Sequence, residues 1–294
     1  MVDSSASLGR AKVRRDPDWL RWLLIAITLF GVGLLVVVPV VCVLVNAFSE
    51  GVAAYWSAIF GDPDTLASIR LTILIAPLAV LANALFGLAA AWAIARFIFP
   101  GRTVLVTLID LPFSISPIVV GLMFVVMFGL GGPLGPVLKS LDLQILFSPI
   151  ALLVVTTFVT IPFVARELIP LMEAMGPEEE IAARSLGASG WQILWHVTLP
   201  NVKWGLLYGL ILSNARAMGE FGAASVVSGH IEGQTETMPL RVERLFQDYQ
   251  STKSFALASV LTLLALATLL LKVWIERRSR LALKEARRGR TASK

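Results

Sequence analysis

Arg216 and Glu220 stand four residues apart in the otherwise uncharged run 204–228. On a helix they would share one face, and their distance from the run's polar end puts both near mid-bilayer. A guanidinium there could attract a small anion, and a carboxylate could pair with it or repel that anion. Either charge alone in hydrocarbon costs at least about 3 kcal/mol, so both must pair, hydrogen-bond to other helices or face water. Two readings stay open, a charged group beside a translocation path and a fixed interhelical pair. Arg before Glu is the weaker order within a helix, so partners on other elements are expected. Asn214 belongs to the same polar set. Ser114 and Ser116 form a second one: Pro112 and Pro117 flank them in an apolar run, and each proline removes a backbone donor. That predicts a kink or local unwinding, either lining a water-filled path or with serines satisfying the freed carbonyls.

Enzymatic chemistry has little support. The chain has no G-x-x-x-x-G-K-[ST] loop to cradle nucleotide phosphates, no H-E-x-x-H and no G-x-S-x-G. The single cysteine, Cys42, excludes an intrachain disulfide, and His196 and His230 fall on opposite sides of the predicted membrane. No catalytic residue, metal site or cofactor is expected in this chain.

The elements that must hold these residues are membrane spans. The composition is 56% hydrophobic and 15% charged, with mean hydropathy +0.79, outside the range of a soluble domain. Uncharged or nearly uncharged runs at 22–45, 71–95, 103–128, 145–165, 204–228 and 255–275 predict an all-α integral membrane protein with six spans. The first run is too long for a cleaved signal segment and reads as an uncleaved anchor. Residues 46–70 read as an external interfacial segment and 229–254 as an external polar loop. The domain organisation is then a cytoplasmic segment 1–21, a membrane domain 22–275 and a basic tail 276–294. The basic N-terminus, the turn 96–102 and the tail fall on one side, which the positive-inside bias makes cytoplasmic for both termini. The net charge of +5 is thus a topology signal, not a nucleic-acid one. Anionic lipid is the simplest contact for the tail.

Between the fourth and fifth runs lies a polar loop, 176–200. Pro177 and three glutamates suit a helix start, and Gly187 suits its left-handed end. A helix is expected from Pro177 to Leu186. Ser189 would cap a second, 190–197, that Pro200 helps to end. By physics alone this knob could be a mere solvated connector. Ala182-Ala183, Gly187 and Leu199-Pro200, however, resemble the EAA loop of binding-protein-dependent ABC importers. That resemblance implies a cytoplasmic coupling helix docking into an ATPase subunit. The position before the two alanines, usually Glu in that family, is Ile181, and Glu180 points about 100° away around a helix.

Asn214-Ala215-Arg216-Ala217-Met218-Gly219-Glu220-Phe221-Gly222-Ala223 is similar to the sulfate/thiosulfate permease subfamily, in particular its W-type subunit. Arg96-Phe97-Ile98-Phe99-Pro100-Gly101-Arg102, Leu111-Pro112-Phe113 and Gly132-Pro133-Leu134-Gly135 agree. The resemblance implies a permease in a bacterial inner membrane, paired with a T-type permease, two ATPase subunits using ATP and Mg, and a periplasmic sulfate-binding protein. A shorter Ala-Arg-x-x-Gly-Glu-Phe-Gly core also occurs in molybdate permeases, which keeps a molybdate or tungstate substrate open. A self-contained secondary anion transporter is the competing class. It would need no protruding knob, and six spans are few for two inverted repeats.

Overall fold

The computed structural model of the chain describes residues 17–292. Expectations for 1–16, for the last two residues and for the tail side chains from 276 onward lie outside the described residues. Among the described residues all regular structure is helical.

The first span is α1 (Asp18–Val32), a π-helical turn (Gly33–Val37) and α2 (Val38–Ala47) in series. A short helix, α3 (Val52–Phe60), precedes the long α4 (Pro63–Arg96). The segment 46–70, expected to be external, thus holds α3 and the first two turns of α4. Asp62 caps α4 by accepting from the Asp64 amide at 3.1 Å, and Pro63 fits the first turn where its missing donor is harmless. Next come α5 (Arg102–Ser114), α6 (Pro117–Phe128) and the short α7 (Gly135–Ser140). The fourth span, α8 (Pro149–Met175), is capped by Ser148 and runs on through Arg166, Glu167 and Glu173. The polar stretch expected after Ala165 thus begins as helix. Beyond it lie α9 (Glu178–Ser185), α10 (Gly190–Ile193), a π-helical turn (Leu194–Thr198) and α11 (Leu199–Met218). The chain closes with α12 (Gly222–Val227), α13 (Met238–Gln247) and α14 (Ser251–Ala292). Among the described residues four helices are long and apolar enough to cross a membrane, or five if the bent pair α5 and α6 counts as one span. The six-span reading is compatible with this architecture.

The core sits on α8, which α4 and α11 flank. Lipid removes the hydrophobic drive between helices, so close backbone approach must supply the attraction. Two stripes of small residues do so. Ala79, Asn83, Gly87 and Ala91 of α4 are all buried, and a Cβ on Gly87 would lie 2.7 Å from Val164 Cγ1. From the other side, a Cβ on Gly209 of α11 would lie 3.1 Å from the Val164 Cα. Asn83 donates to Thr160 Oγ1 at 2.7 Å across the first contact, and Thr160 passes its own proton to the Thr156 carbonyl at 2.6 Å. The four-residue periodicity is therefore a packing seam, not an accident of an alanine-rich helix.

A side chain at Gly87 must force α4 off α8, at a cost of about 1–3 kcal/mol. Gly87→Leu should lower the amount of folded protein in membranes, measured by monodisperse yield after detergent extraction. Gly31→Leu, where nothing lies within 4 Å, should leave that yield unchanged.

Candidate functional site: two helix breaks and a polar knob

The run carrying Ser114 and Ser116 is broken, not merely kinked. α5 and α6 meet at 111°, with Ile115 and Ser116 extended between them and Pro117 opening α6. The fifth run breaks too: α11 ends at Met218, and α12 restarts at Gly222 after a non-helical Gly219-Glu220-Phe221. These breaks abut, since a Cβ on Gly222 would sit 2.9 Å from the Pro117 Cβ. Ser114 and Ser116 are exposed, and neither hydroxyl hydrogen-bonds among the described residues. The reading in which they satisfy freed carbonyls is not what the geometry shows.

Glu220 lies inside the second break with 2% of its side chain exposed. Its Oε1 accepts from the Ala223 amide at 2.9 Å, capping α12, and its Oε2 lies 2.6 Å from Arg216 Nη1. The expectation that these charges find partners on other elements is corrected: they pair with each other. The order rule applies within a continuous helix, and the chain leaves helical geometry between them. Arg216 keeps a third of its side chain exposed, with donors to spare. Asn214 is not part of this group. It lines an apolar groove of about 420 Å³ with Pro77, Leu207 and Leu271, its amide 3.5 Å from Met218 Sδ. Asp110 of α5 pairs with Arg166 of α8 at 2.6 Å.

On the polar loop, α9 closes at Gly187, whose φ of +89° suits glycine. Ser189 and Gln192 form a reciprocal capping box that starts α10. Pro200 does not end the second helix. The π-helical turn at Leu194–Thr198 shifts the hydrogen-bond register, Leu199 donates back to the Leu194 carbonyl, and Pro200 falls in the first turn of α11. The knob is thus continuous with the arginine-bearing helix. Ala182 is exposed and Ala183 half-buried. Around them Ile181 is 59% and Leu186 90% exposed, two apolar side chains left uncovered on the knob.

Residues 83–281 match the family described as binding-protein-dependent transport system inner membrane component. The chain belongs to this family. It is a permease, a membrane component without catalytic residues of its own. It is 50% identical over 259 residues, 88% of this chain and 94% of the relative, to the sulfate transport system permease protein CysW of Synechocystis. The CysW of Escherichia coli K12 is 48% identical over 262 residues, 89% of this chain and 90% of the relative. The CysT permease of that organism is 36% identical over 244 residues, 83% of this chain and 87% of the relative. A crystal structure of a bacterial alginate ABC transporter has the same fold, with TM-score 0.74 at 17% identity over 89% of this chain and 95% of that one. Among the permease's described residues no group of His, Cys, Asp or Glu could hold a metal ion.

Sequence reasoning missed one charged cluster. The stretch expected to be an external polar loop, 229–254, contains α13, which packs against α4 and α14. Arg241, 8% exposed, lies 2.9 Å from Asp62 Oδ2, 3.0 Å from Glu232 and 3.4 Å from Glu236. Arg244 joins Glu232 at 2.7 Å and Glu236 at 2.9 Å, and the Met238 amide donates to Thr72 Oγ1 at 2.8 Å. The available signal was Thr237 two residues before Pro239, then Met238, Val242 and Leu245 at helical spacing. Desolvation pushes the Asp62 carboxyl up, but hydrogen bonds from Thr65, Arg241 and the Asp64 amide outweigh it and hold it below its ordinary value. Hydrogen bonds from Arg244 and Arg241 likewise hold Glu232 low. Burial raises Glu236 despite the two arginines.

Removing Arg216 leaves Glu220 buried and unpaired, a loss of about 3 kcal/mol. Arg216→Leu and Glu220→Leu should each lower membrane abundance of the assembled complex, and the double change should recover much of it. Full abundance of both single variants with lost uptake would assign the pair to the path instead. The Arg241 cluster predicts a pH response. Lowered Asp62 and Glu232 contribute stability above the ordinary carboxylate range, lost as pH falls through their folded values; raised Glu236 works in the opposite direction. Protease cleavage within 229–250 of the detergent-solubilised protein should therefore rise as pH drops below about 4, and Asp62→Asn should bring that cleavage to neutral pH.

Proposed function

We propose that this permease is one membrane half of an ATP-driven importer that carries sulfate or thiosulfate into the cell. The observation that carries the reading is near-50% identity, across almost the whole chain, to permeases named for sulfate transport. Its CysT likeness supports a T-type permease as the other half. Two ATPase subunits would supply ATP and Mg, and a periplasmic sulfate-binding protein would deliver the anion. Both termini and the 176–200 loop lie on the cytoplasmic side of a bacterial inner membrane, with six spans in the domain 22–275. The basic tail meets anionic lipid.

The mechanism is alternating access. ATP binding closes the ATPase pair, the knob around Ala182, Ala183, Gly187, Leu199 and Pro200 moves as a body, and the helices open toward the binding protein. Arg216 offers a positive charge at the abutting breaks, and Ser114 and Ser116 offer exposed hydroxyls. Glu220 offsets part of the arginine's charge, which keeps the anion weakly held, as transit requires.

Reconstitution tests the whole reading. Radiolabelled sulfate should enter proteoliposomes only with ATP and the ATPase subunits present. Gly187→Asp, strained at a positive φ and set on the docking face, should leave insertion intact and abolish uptake. Uptake without the ATPase would make the chain a secondary transporter. Exclusive uptake of molybdate would reassign the substrate.

A further inference from the structure

The coupling helix is held from inside by groups that the function above does not use. Arg96, at the last position of α4, has 10% of its side chain exposed, and its Nε lies 2.9 Å from Glu180 Oε2. Its Nη1 donates to the Met172 carbonyl of α8 at 2.8 Å. The other Glu180 oxygen accepts from Thr198 Oγ1 at 2.8 Å, at the junction with α11. One carboxylate on α9 thus joins the cytoplasmic ends of α4 and α11, and its arginine adds α8. Glu179 adds a parallel tie by accepting from Asn201 Nδ2. The cluster walls a cleft of about 200 Å³ with Gly176 at its edge.

The helix so held is only eight residues long and has no independent stability at that length. Glycines at positive φ bound it on both sides, Gly176 at +70° and Gly187 at +89°. Without an internal tie, a push on α9 would be absorbed by rotation at these two points. The tie also sets which side chain faces outward. With Glu180 turned in, its neighbour points about 100° away around the helix, and that neighbour is the exposed Ile181.

Resting on the importer reading, we infer that Glu180 and Arg96 are positioning residues for energy coupling. Their ion pair, with Thr198, locks α9 to the ends of α4, α8 and α11, so that a displacement of the knob reaches the break carrying Arg216. The same lock leaves the apolar Ile181 turned away from Glu180, exposed for contact with the ATPase. A buried pair of this kind is rigid because loss of either partner strands the other charge.

The test is the amount of radiolabelled sulfate taken up per ATP hydrolysed by the complete transporter in proteoliposomes, with sulfate-loaded binding protein outside. Glu180→Gln should lower that ratio about tenfold, the effect of losing one charge-assisted bond, while ATP hydrolysis continues. The exchanged pair Arg96→Glu with Glu180→Arg should regain only the ion-pair part of it, because a carboxylate at 96 cannot donate to the Met172 carbonyl. An unchanged ratio in Glu180→Gln, or uptake and hydrolysis falling in equal proportion, would overturn the inference. Should Glu180→Gln fail to assemble, Thr198→Val removes one tie with little change of shape. A ratio lowered about threefold supports the lock, and a wild-type ratio overturns it. Failure of the wild-type complex to take up sulfate with ATP would refute the importer reading itself, whereas normal wild-type uptake isolates the lock as the failing idea.

Discussion

The close approach of α4 and α11 to α8 at Val164 is the constraint on which the rest depends. Gly87 meets that residue on one side and Gly209 meets it on the other. In lipid such contact is the main source of helix attraction, because tails and leucines are equally apolar. Three helices joined at one level form a stiff unit, and everything functional is attached to its ends. The Asn83 bond to Thr160 adds direction to the seam by satisfying a buried donor where no water can reach.

A stiff unit permits irregularity elsewhere. Broken helices expose backbone groups that hydrocarbon cannot satisfy, so a break must be packed against protein or face a watery cavity. Here two breaks are stacked, Pro117 against Gly222. Glu220 serves both needs at once. One oxygen takes the Ala223 amide that the interrupted helix leaves unpaired, and the other neutralises Arg216. A third of that arginine's side chain stays exposed.

Both ends of the unit are fastened by charge. At one end, Arg241 fixes α13 over the start of α4 through Asp62, whose carboxylate is also the cap of that helix. At the other end of α4, Arg96 holds the knob. The same helix therefore carries an arginine-centred tie at each of its ends, and loss of either partner would strand the other charge.

The sequence by itself determined the membrane character, the knob with its Gly187 turn and Ser189 cap, the weakness around Ser114 and Ser116, and the importance of Arg216 and Glu220. These are local facts, set by hydropathy, by missing proline donors and by the conformations open to glycine and serine. Only the tertiary structure decided partners. The Arg216 to Glu220 pairing depends on the chain leaving helical geometry at Met218; Gly219 permits that end, but a glycine inside an apolar run does not by itself require it. Pro200 reads as a stop until a π-helical turn supplies the register that lets the helix continue. The stretch 229–254 reads as a solvated loop because its charges are balanced against one another, and only the fold brings Asp62 to Arg241. Glu180 looked misplaced by one position along the coupling helix, and the arginine that explains its direction is far away in sequence, at the end of α4. Contacts between distant segments are fixed by packing against α8, and a linear pattern holds no record of them.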